Sequence, residues 1–330
     1  MRSLKEYRKS FLILLVASAV FVVLSRFVPL SICNIMGRIL IMMLFATSVN
    51  IMFGYTGLIA FGQSLFFGCA AFIYALLVVK ARVAIYPAAI AAVAATALVS
   101  LLVGLLVLRV QAFTFALLFM GVNILVYNVS MKMPILGSGA GVTGSLRPDG
   151  FANTRVLLYF ILAVVAVCYI LIFINMHSTF GTMAQGIREN EERMTFLGVN
   201  IKRVKLVSIV LAGTFSGVAG ILYAMLNLGA FAANLALDLT IEGLILCLVG
   251  GMFSFWGPSV GALLITFVNV WVSNQTIFYH AILGIVLIAT ILFMPNGIVY
   301  RHREGESGNW LTRKFRKAGE PEQSKGGEQA

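Results

Sequence analysis

Few residues in this sequence have the types and spacing that chemistry requires, and the densest group of them lies in residues 177–205. This stretch, HSTFGTMAQGIRENEERMTFLGVNIKRVK, is the only long polar passage between two polar termini. Its charged side chains are Arg188, Glu189, Glu191, Glu192, Arg193, Lys202, Arg203 and Lys205. They include no nucleophile–base pair, so the stretch is better suited to contact with a soluble partner than to catalysis.

Two nucleotide-binding patterns bear on function, and the sequence supports neither. Gly139, Gly141 and Gly144 form a GxGxxG, but a dinucleotide site needs this pattern between a strand and a helix of a soluble βαβ unit. Here it follows an apolar run, and a flexible outer loop or a contact with a receptor protein is the expected role. The chain contains no Gly-Lys dipeptide and therefore no Walker A sequence. The protein is predicted to lack an ATPase site and not to be an enzyme.

The sequence predicts neither a metal nor a cofactor. The cysteines lie in apolar runs without a CxxC pair and are interpreted as small buried hydrophobes. They are Cys33, Cys69, Cys168 and Cys247. Asp238 and Glu242, spaced i,i+4, are the acidic pair closest to entering an apolar run. A functional intramembrane carboxylate and an interfacial cap are both open interpretations of this pair.

The elements that must position these residues are membrane helices. The chain has 330 residues, of which 60% are hydrophobic and only 11% charged, and its mean hydropathy is +0.98. Runs of about 20 apolar residues, enough to cross a ~30 Å hydrocarbon core, lie at 10–30, 34–53, 58–79, 84–108, 111–131, 155–176, 206–229, 239–256, 257–275 and 277–299. The predicted fold is all-α, a polytopic helical protein of the cell inner membrane with about ten transmembrane helices. A re-entrant hairpin broken at Gly257-Pro258 is an alternative to two of these spans.

The basic residues set the orientation. The net charge of +12 has no basic face that would suit nucleic acid, and most of the 24 Lys and Arg residues lie on the predicted inner side. Residues 1–9 and 177–205 are then cytoplasmic, and residues 10–300 form the transmembrane domain. Residues 301–330 form a cytoplasmic polar tail, partly disordered, with basic clusters suited to anionic lipids. A cleaved signal peptide is the less favoured interpretation of the first span.

A glycine-rich stretch from Gly54 to Gly68 follows the second apolar run and extends into the third. Glycine at this density, followed by polar side chains, indicates a functional break in a helix beside a solute path. Small residues at a helix–helix interface are the alternative. The residues predicted to line the pathway are Asn50, Gly54, Tyr55, Gly57, Gln63, Ser64 and Asn123.

Within the polar stretch, residues 187–197 predict a short amphipathic helix. Glu189 and Arg193 would form an acid-first i,i+4 pair on it, and Gly198 would end it. Its apolar stripe would consist of Ile187, Met194 and Leu197. Such a helix fits a groove on a soluble partner, whereas a solvated helix resting on the membrane is the open alternative.

Three stretches, in this order, resemble the permease subunits of branched-chain (hydrophobic) amino-acid ABC importers, in particular the larger of the two permease types. The first is GYTG with FGQ and FG, beginning at Gly54. The second is RENE with LGVN, RVKL and AGILYA, beginning at Arg188. The third is IEG with VGG and WGPSVGA, beginning at Ile241, followed by PNG at Pro295. Together they cover roughly residues 34–300.

The resemblance implies a heteromeric importer. It would contain two homologous permease subunits, ATPase subunits and an extracytoplasmic substrate-binding protein. Residues 186–200 would be the segment that couples closure of the ATPase subunits to the membrane pathway. The coupling residues would be Gly186, Arg188, Glu189, Asn190, Glu192, Arg193, Leu197 and Gly198. The third stretch would supply the structural positions Gly250, Gly251, Gly257, Pro258 and Gly261.

The resemblance implies a cargo of branched-chain or other hydrophobic amino acids. The family often has an acidic or amide residue in the glycine loop, where this chain has Ala140. This departure leaves urea or another small polar solute as an alternative cargo. A self-sufficient channel or secondary transporter is the alternative from another functional class.

Overall fold

The computed structural model describes residues 29–110, 112–147 and 153–273, together with residues 284 and 298. Within these ranges the α-helices, numbered in chain order, are α1 (Leu30–Asn50), α2 (Gln63–Val79), α3 (Ile85–Val107), α4 (Ala112–Lys132), α5 (Thr154–His177), α6 (Thr179–Glu189), α7 (Glu191–Phe196), α8 (Ile201–Asn227), α9 (Leu237–Gly250) and α10 (Gly257–Ser273). The remaining regular elements are a π-helical turn (Ile51–Tyr55), two 3₁₀ turns (Pro134–Leu136 and Ala232–Leu235) and the antiparallel strands β1 (Val142–Thr143) and β2 (Gly229–Ala230).

The described part of the chain is mostly helical and apolar, which confirms a helical membrane protein. The helices long and apolar enough to cross a membrane are Ile32–Tyr55, Ile85–Val107, Thr114–Lys132, Thr154–His177 and Ile201–Asn227. Shorter apolar helices are Gln63–Val79 and Gly257–Asn269. The total of ten spans and the side of each terminus remain predictions. The predictions for residues 1–9 and 301–330, and for nearly all of 10–30 and 277–299, fall outside the described residues.

Two predicted spans have different bounds in the structure. The run at 58–79 begins as non-helical chain, and α2 starts only at Gln63. The run at 239–256 is helical only in its first part, because Gly251 has a φ of +110° and the chain then turns over residues 251–256. Helix α9 therefore has 14 residues, or about 21 Å, which is shorter than a ~30 Å hydrocarbon core. Helix α9 is therefore too short for a full-length span, and a turn separates it from α10.

Helices α1 and α8 lie at the centre of the described structure. The most apolar windows of Ile32–Tyr55 and Ile201–Asn227 are 72% and 67% buried, against 28% for the windows in α3 and α4. Helix α8 packs along α1, α2 and α3, whereas α5 and α10 pack on α1. The outward sides of α3 and α4 carry exposed leucine and isoleucine side chains, as expected of helices that face lipid.

Small residues allow α8 to approach its neighbours closely. A Cβ atom on Gly220 would lie 2.0 Å from the carbonyl oxygen of Phe67 in α2, and one on Gly213 would lie 2.5 Å from the Cβ of Ser100 in α3. Such contacts bring helix backbones together, and van der Waals packing of this kind drives association of helices in lipid. The glycines of α8 therefore contribute to its close packing as much as its larger side chains do.

The segment after α4, predicted as a flexible outer loop, is held by specific contacts over residues 133–147. Strand β1 pairs with β2, and the hydroxyl of Tyr74 donates to the carbonyl of Leu146 at 2.8 Å. Arg147 Nη2 donates to the carbonyl of Leu226 at 2.8 Å. The GxGxxG pattern spans β1 instead of joining a strand to a helix, so a nucleotide-binding turn is not formed. Residues 133–147 therefore have defined contacts, while the flexibility of the loop and its contact with a receptor stay predictions.

Candidate functional site

The predicted coupling segment folds as two helices that meet at Asn190. The backbone of Asn190 is extended (φ −162°, ψ 107°), and its side chain accepts a hydrogen bond from the backbone N–H of Arg193 at 2.9 Å. Ser178 and Asn200 cap α6 and α8 in the same way. A side-chain oxygen at the N-cap satisfies a backbone donor that a helix otherwise leaves without a partner. The prediction of one continuous helix over residues 187–197 is therefore wrong.

This break changes two details of the prediction. Glu189 and Arg193 do not lie on one helix, so the geometry predicted for their pair is not formed. Glu189 Oε1 instead lies 4.0 Å from Nη2 of Arg188. Gly198, with a φ of +78°, follows α7 and confirms the predicted helix stop. An asparagine followed by two acidic residues is a typical helix start, so the sequence did contain the signal for this break.

The side of the segment that faces α8 and the π-helical turn is apolar. Ile187 and Val204 are buried there, with Tyr55 and Met194 packed against them. A Cβ atom on Gly186 would lie 2.6 Å from the sulfur of Met194, so the glycine allows α7 to fold back on α6. Two residues of the predicted apolar stripe, Ile187 and Met194, therefore anchor the segment.

The end of α7 presents two large apolar side chains, Phe196 and Leu197, which form the tip of the segment. Phe196 is 91% exposed and Leu197 is 70% exposed. The predicted stripe was to lie in a groove on a partner, and Leu197 is exposed as that requires, whereas Ile187 and Met194 pack inward instead. Glu189, Glu192 and Arg193 of the same segment are also exposed. Exposed apolar side chains in a charged segment are typical of a protein–protein contact. Phe196 was not predicted as a site residue, although an aromatic side chain in a polar stretch is a signal.

The predicted break in the glycine-rich stretch is confirmed as an interruption of the helix. Helix α1 runs into the π-helical turn Ile51–Tyr55, and residues 56–62 are non-helical. The hydroxyl of Thr56 donates to Ser208 Oγ in α8 at 3.0 Å, which ties the break to the central helix. Single π-helical turns are rare and often occur at functional sites.

Three distant parts of the chain meet beside this break. A Cβ atom on Gly54 would lie 2.2 Å from a carbonyl oxygen of the α9–α10 turn, residues 251–256. Asn50 Nδ2 donates to the Ser254 carbonyl of the same turn at 3.4 Å. Arg188 of α6 donates to the carbonyl of Gly54 and places its guanidinium carbon 4.8 Å from the centroid of the Phe253 ring. The three stretches that carry the family resemblance therefore converge on one place.

A buried polar cluster lies at the start of α2. Ser64 Oγ accepts hydrogen bonds from Asn123 Nδ2 at 2.9 Å and from Thr240 Oγ1 at 2.8 Å. Gln63 Nε2 donates to the Ala212 carbonyl at 3.1 Å, and all four polar side chains are 0% exposed. Among the described residues, Gln63 Oε1 and Asn123 Oδ1 have no hydrogen-bond partner. The cluster is uncharged and has acceptor capacity to spare.

The predicted pathway residues thus divide into two groups. The group at the π-helical turn consists of Asn50, Gly54, Tyr55 and Gly57. The group in the polar cluster consists of Gln63, Ser64 and Asn123. Sequence reasoning missed Thr240. Threonine is common in membrane helices, and its hydroxyl can bond to a carbonyl of its own helix, so nothing in the sequence sets it apart.

The two members of the acidic pair on α9 have different surroundings. Asn269 Nδ2 of α10 donates to Glu242 Oε1 at 3.0 Å, which is a hydrogen bond between helices. Asp238 lies in the first turn of α9, where the helix dipole favours a negative charge. The position of Asp238 suits the cap interpretation.

The glycines predicted as structural lie where α9 and α10 touch. A Cβ atom on Gly250 would lie 1.9 Å from the carbonyl oxygen of Gly257, and one on Gly261 would lie 2.0 Å from that of Leu246. Pro258 lies in the first turn of α10, where its missing N–H breaks no hydrogen bond of the helix. These contacts support the predicted structural role.

Comparison with known proteins places the chain among transport proteins. Residues 31–294 match a family model described as "Branched-chain amino acid transport system / permease component". The high-affinity branched-chain amino acid transport system permease protein LivM of Escherichia coli (strain K12) is 23% identical over 293 residues, 79% of this chain and 68% of LivM. No solved structure matches the chain significantly.

Two further relatives match over 130 residues. The probable ABC transporter permease protein YphD of Escherichia coli (strain K12) is 26% identical over 37% of this chain and 39% of its own length. The nucleoside ABC transporter permease protein NupB of Lactococcus lactis subsp. cremoris (strain MG1363) is 25% identical over 39% of this chain and 35% of its own length. The matched relatives thus differ in the solutes that their names give.

Proposed function

Because this chain belongs to the family of permease components of branched-chain amino acid transport systems, we propose that it forms the solute pathway of an ABC importer and is energised by partner ATPase subunits. It is a multi-pass protein of the inner membrane. The proposed complex also contains a second homologous permease and an extracytoplasmic substrate-binding protein. Hydrolysis of ATP takes place in the partner subunits, and this chain converts their movement into opening of the pathway.

The observation that carries this proposal is the exposed tip formed by Phe196 and Leu197. The tip stands on an apolar base formed by Ile187 and Val204, so a force applied to it reaches the membrane domain. A solvated helix resting on the membrane needs no such base. Docking on a groove of an ATPase subunit accounts for both the exposed tip and its base.

A double substitution, Phe196→Ser with Leu197→Ser, tests the docking tip. We expect membrane insertion to be unchanged, because both side chains are exposed. Aromatic anchors at interfaces often contribute 2 kcal/mol or more, so co-purification of ATPase subunits and stimulated ATP hydrolysis are expected to fall by about tenfold or more. Lys202→Gln, an exposed position in the same stretch, is the matched control. Normal co-purification and hydrolysis in the double variant would contradict the proposal.

The self-sufficient channel or secondary transporter makes the opposite prediction about partners. The purified chain alone, in liposomes, would then move solute without ATPase subunits. Under our proposal such liposomes take up no solute until the ATPase subunits, the second permease and the binding protein are added with ATP.

For the cargo we propose branched-chain or other hydrophobic amino acids. The family match and the similarity to LivM support this class. The uncharged cluster around Ser64 suits a neutral or zwitterionic solute better than one with net charge, because burying an unpaired charge is costly. Ala140 and the nucleoside in the name of NupB favour a small polar solute as the second candidate. Calorimetry of the cognate binding protein with leucine, urea and a nucleoside decides between them.

A further inference from the structure

Arg188 contacts the membrane helices, although it belongs to the same segment as the docking tip. Its side chain is only 22% exposed, and it donates to the backbone carbonyl of Gly54 in the π-helical turn. Its guanidinium also lies over the ring of Phe253, in the α9–α10 turn. One side chain of the coupling segment thus touches both breaks in the membrane helices.

The π-helical turn presents the kind of group that an arginine recognises. A helix that changes its hydrogen-bond register and then stops leaves carbonyl oxygens without a donor from its own backbone. A guanidinium carries five N–H donors in a fixed fork, and a hydrogen bond from a charged donor is stronger than a neutral one. Arg188 can therefore hold the Gly54 carbonyl and the face of the Phe253 ring at the same time.

Gly57 makes room for this arginine. It has a φ of +74°, and a Cβ atom there would lie 2.9 Å from Cγ of Arg188. A larger residue at position 57 would meet both a strained backbone and the stem of the arginine. The glycine-rich stretch, first identified as a break beside a solute path, thus also forms the seat for Arg188.

The segment that carries Arg188 is fixed to the docking tip. Helix α7 is held on α8 by an ion pair between Glu191 and Lys205, and on α6 by the contact of Gly186 with Met194. On the other side, the chain that follows the π-helical turn leads into α2, which begins with Gln63 of the polar cluster. Arg188 therefore joins the segment that carries the tip to the chain that leads into the cluster.

From these contacts we infer that Arg188 is the positioning residue that transmits displacement of the coupling segment to the two helix breaks. This inference rests on the proposed function, because it assumes that ATPase subunits move the tip. Movement of α6 and α7 carries the Gly54 carbonyl and the Phe253 ring together, so the end of α1 and the α9–α10 turn shift as one unit. Arg188 transmits the movement and does not itself dock the ATPase.

Uncoupling of transport from ATP hydrolysis tests this role. Arg188→Gln is assembled with its ATPase subunits, second permease and binding protein in proteoliposomes, and uptake and hydrolysis are measured in the same vesicles. We expect normal co-purification and continued hydrolysis, but about tenfold less solute transported per ATP, within the range typical of coupling between sites. Lys202→Gln removes the same charge from an exposed position of the stretch and keeps the wild-type ratio.

Two results for Arg188→Gln overturn the inference. One is a wild-type ratio of uptake to hydrolysis, and the other is loss of ATPase subunits from an inserted complex, which would make Arg188 a docking residue.

If Arg188→Gln does not insert, Phe253→Leu replaces it, because Phe253 is 54% exposed and its ring is not part of the core. A smaller loss of coupling is expected there, and a wild-type ratio overturns the inference. If the wild-type complex does not transport solute, that result contradicts the proposed function instead.

Discussion

At the scale of single residues, Gly220 shows how little space the central contacts leave. A methyl group there would lie 2.0 Å from a backbone oxygen, which a rotamer change cannot relieve. Gly220→Ala is expected to lower the free energy of unfolding by about 1–3 kcal/mol, the usual cost of overpacking. Thermal unfolding in detergent measures the effect.

The control for this substitution is Gly121→Ala in α4. No described heavy atom lies within 4 Å of a Cβ atom built on Gly121. Alanine favours a helix by up to about 1 kcal/mol over glycine, so the control variant should be unchanged or slightly more stable. Equal destabilisation of both variants would show that the contact between α8 and α2 is not the cause.

Residue types predicted some of the site and not the rest. Ser64 and Asn123 were found because polar side chains are conspicuous in apolar runs, and the structure brings them within 2.9 Å of each other. The direction of Arg188 was not predictable, since a charged residue in a polar stretch has no pattern that distinguishes an inward from an outward side chain. The inward packing of Ile187 and Met194 was missed because the helical period was continued across Asn190.

At the scale of elements, the joint between α6 and α7 depends on the Asn190 cap. Asn190→Ala removes the side-chain acceptor, and loss of an N-cap typically costs about 1 kcal/mol. We expect faster hydrogen exchange of the backbone amides in α7 and weaker stimulation of ATP hydrolysis. Exchange read by mass spectrometry over residues 190–198 measures the local effect.

Asn190→Asp is the matched control, because aspartate caps a helix as well as asparagine does. Its exchange rates over α7 should match those of the wild type. If Asn190→Ala also exchanges like the wild type, the contact of Met194 and the Glu191–Lys205 ion pair hold α7 without the cap, and the cap is dispensable.

Element boundaries followed the sequence only where length and hydropathy decided them. Helices α3, α5 and α8 are long, apolar and close to their predicted bounds. The end of α9 was missed because a positive φ at Gly251 is a backbone property, and two adjacent glycines in an apolar run do not show which of them ends the helix. The early part of the 58–79 run was assigned as helix because its apolar composition hides a non-helical backbone.

At the scale of the whole molecule, the predicted orientation places the docking tip in the cytoplasm and the segment after α4 outside. Phe196→Cys should react with a membrane-impermeant maleimide only in inside-out vesicles. Phe196 is 91% exposed, and the native cysteines are buried or half-buried, so the background labelling should be low. Ser145→Cys, exposed in the predicted outer segment, should react only in right-side-out vesicles. Labelling of both variants from one side would overturn the topology.

The family was predictable from three ordered stretches, whereas the cargo was not. The predicted pathway residues are glycines or carry amide or hydroxyl groups, and such groups bond to many neutral solutes. The structure shows that the three stretches meet beside Gly54. This meeting was not predictable, because contacts between residues 54, 188 and 253 leave no local sequence pattern.

The burial of Ser64 and its partners affects whether the protein lets ions leak down the membrane potential. Each elementary charge that crosses a membrane at 100 mV releases about 2.3 kcal/mol. A continuous column of water through the protein would conduct ions and dissipate the membrane potential. Ser64, Asn123 and Thr240 are fully buried and hydrogen-bonded to one another. If solute passes between them, every passage breaks these bonds and their re-formation closes the barrier behind it. The idle protein would then carry no leak current, even before any partner has joined it.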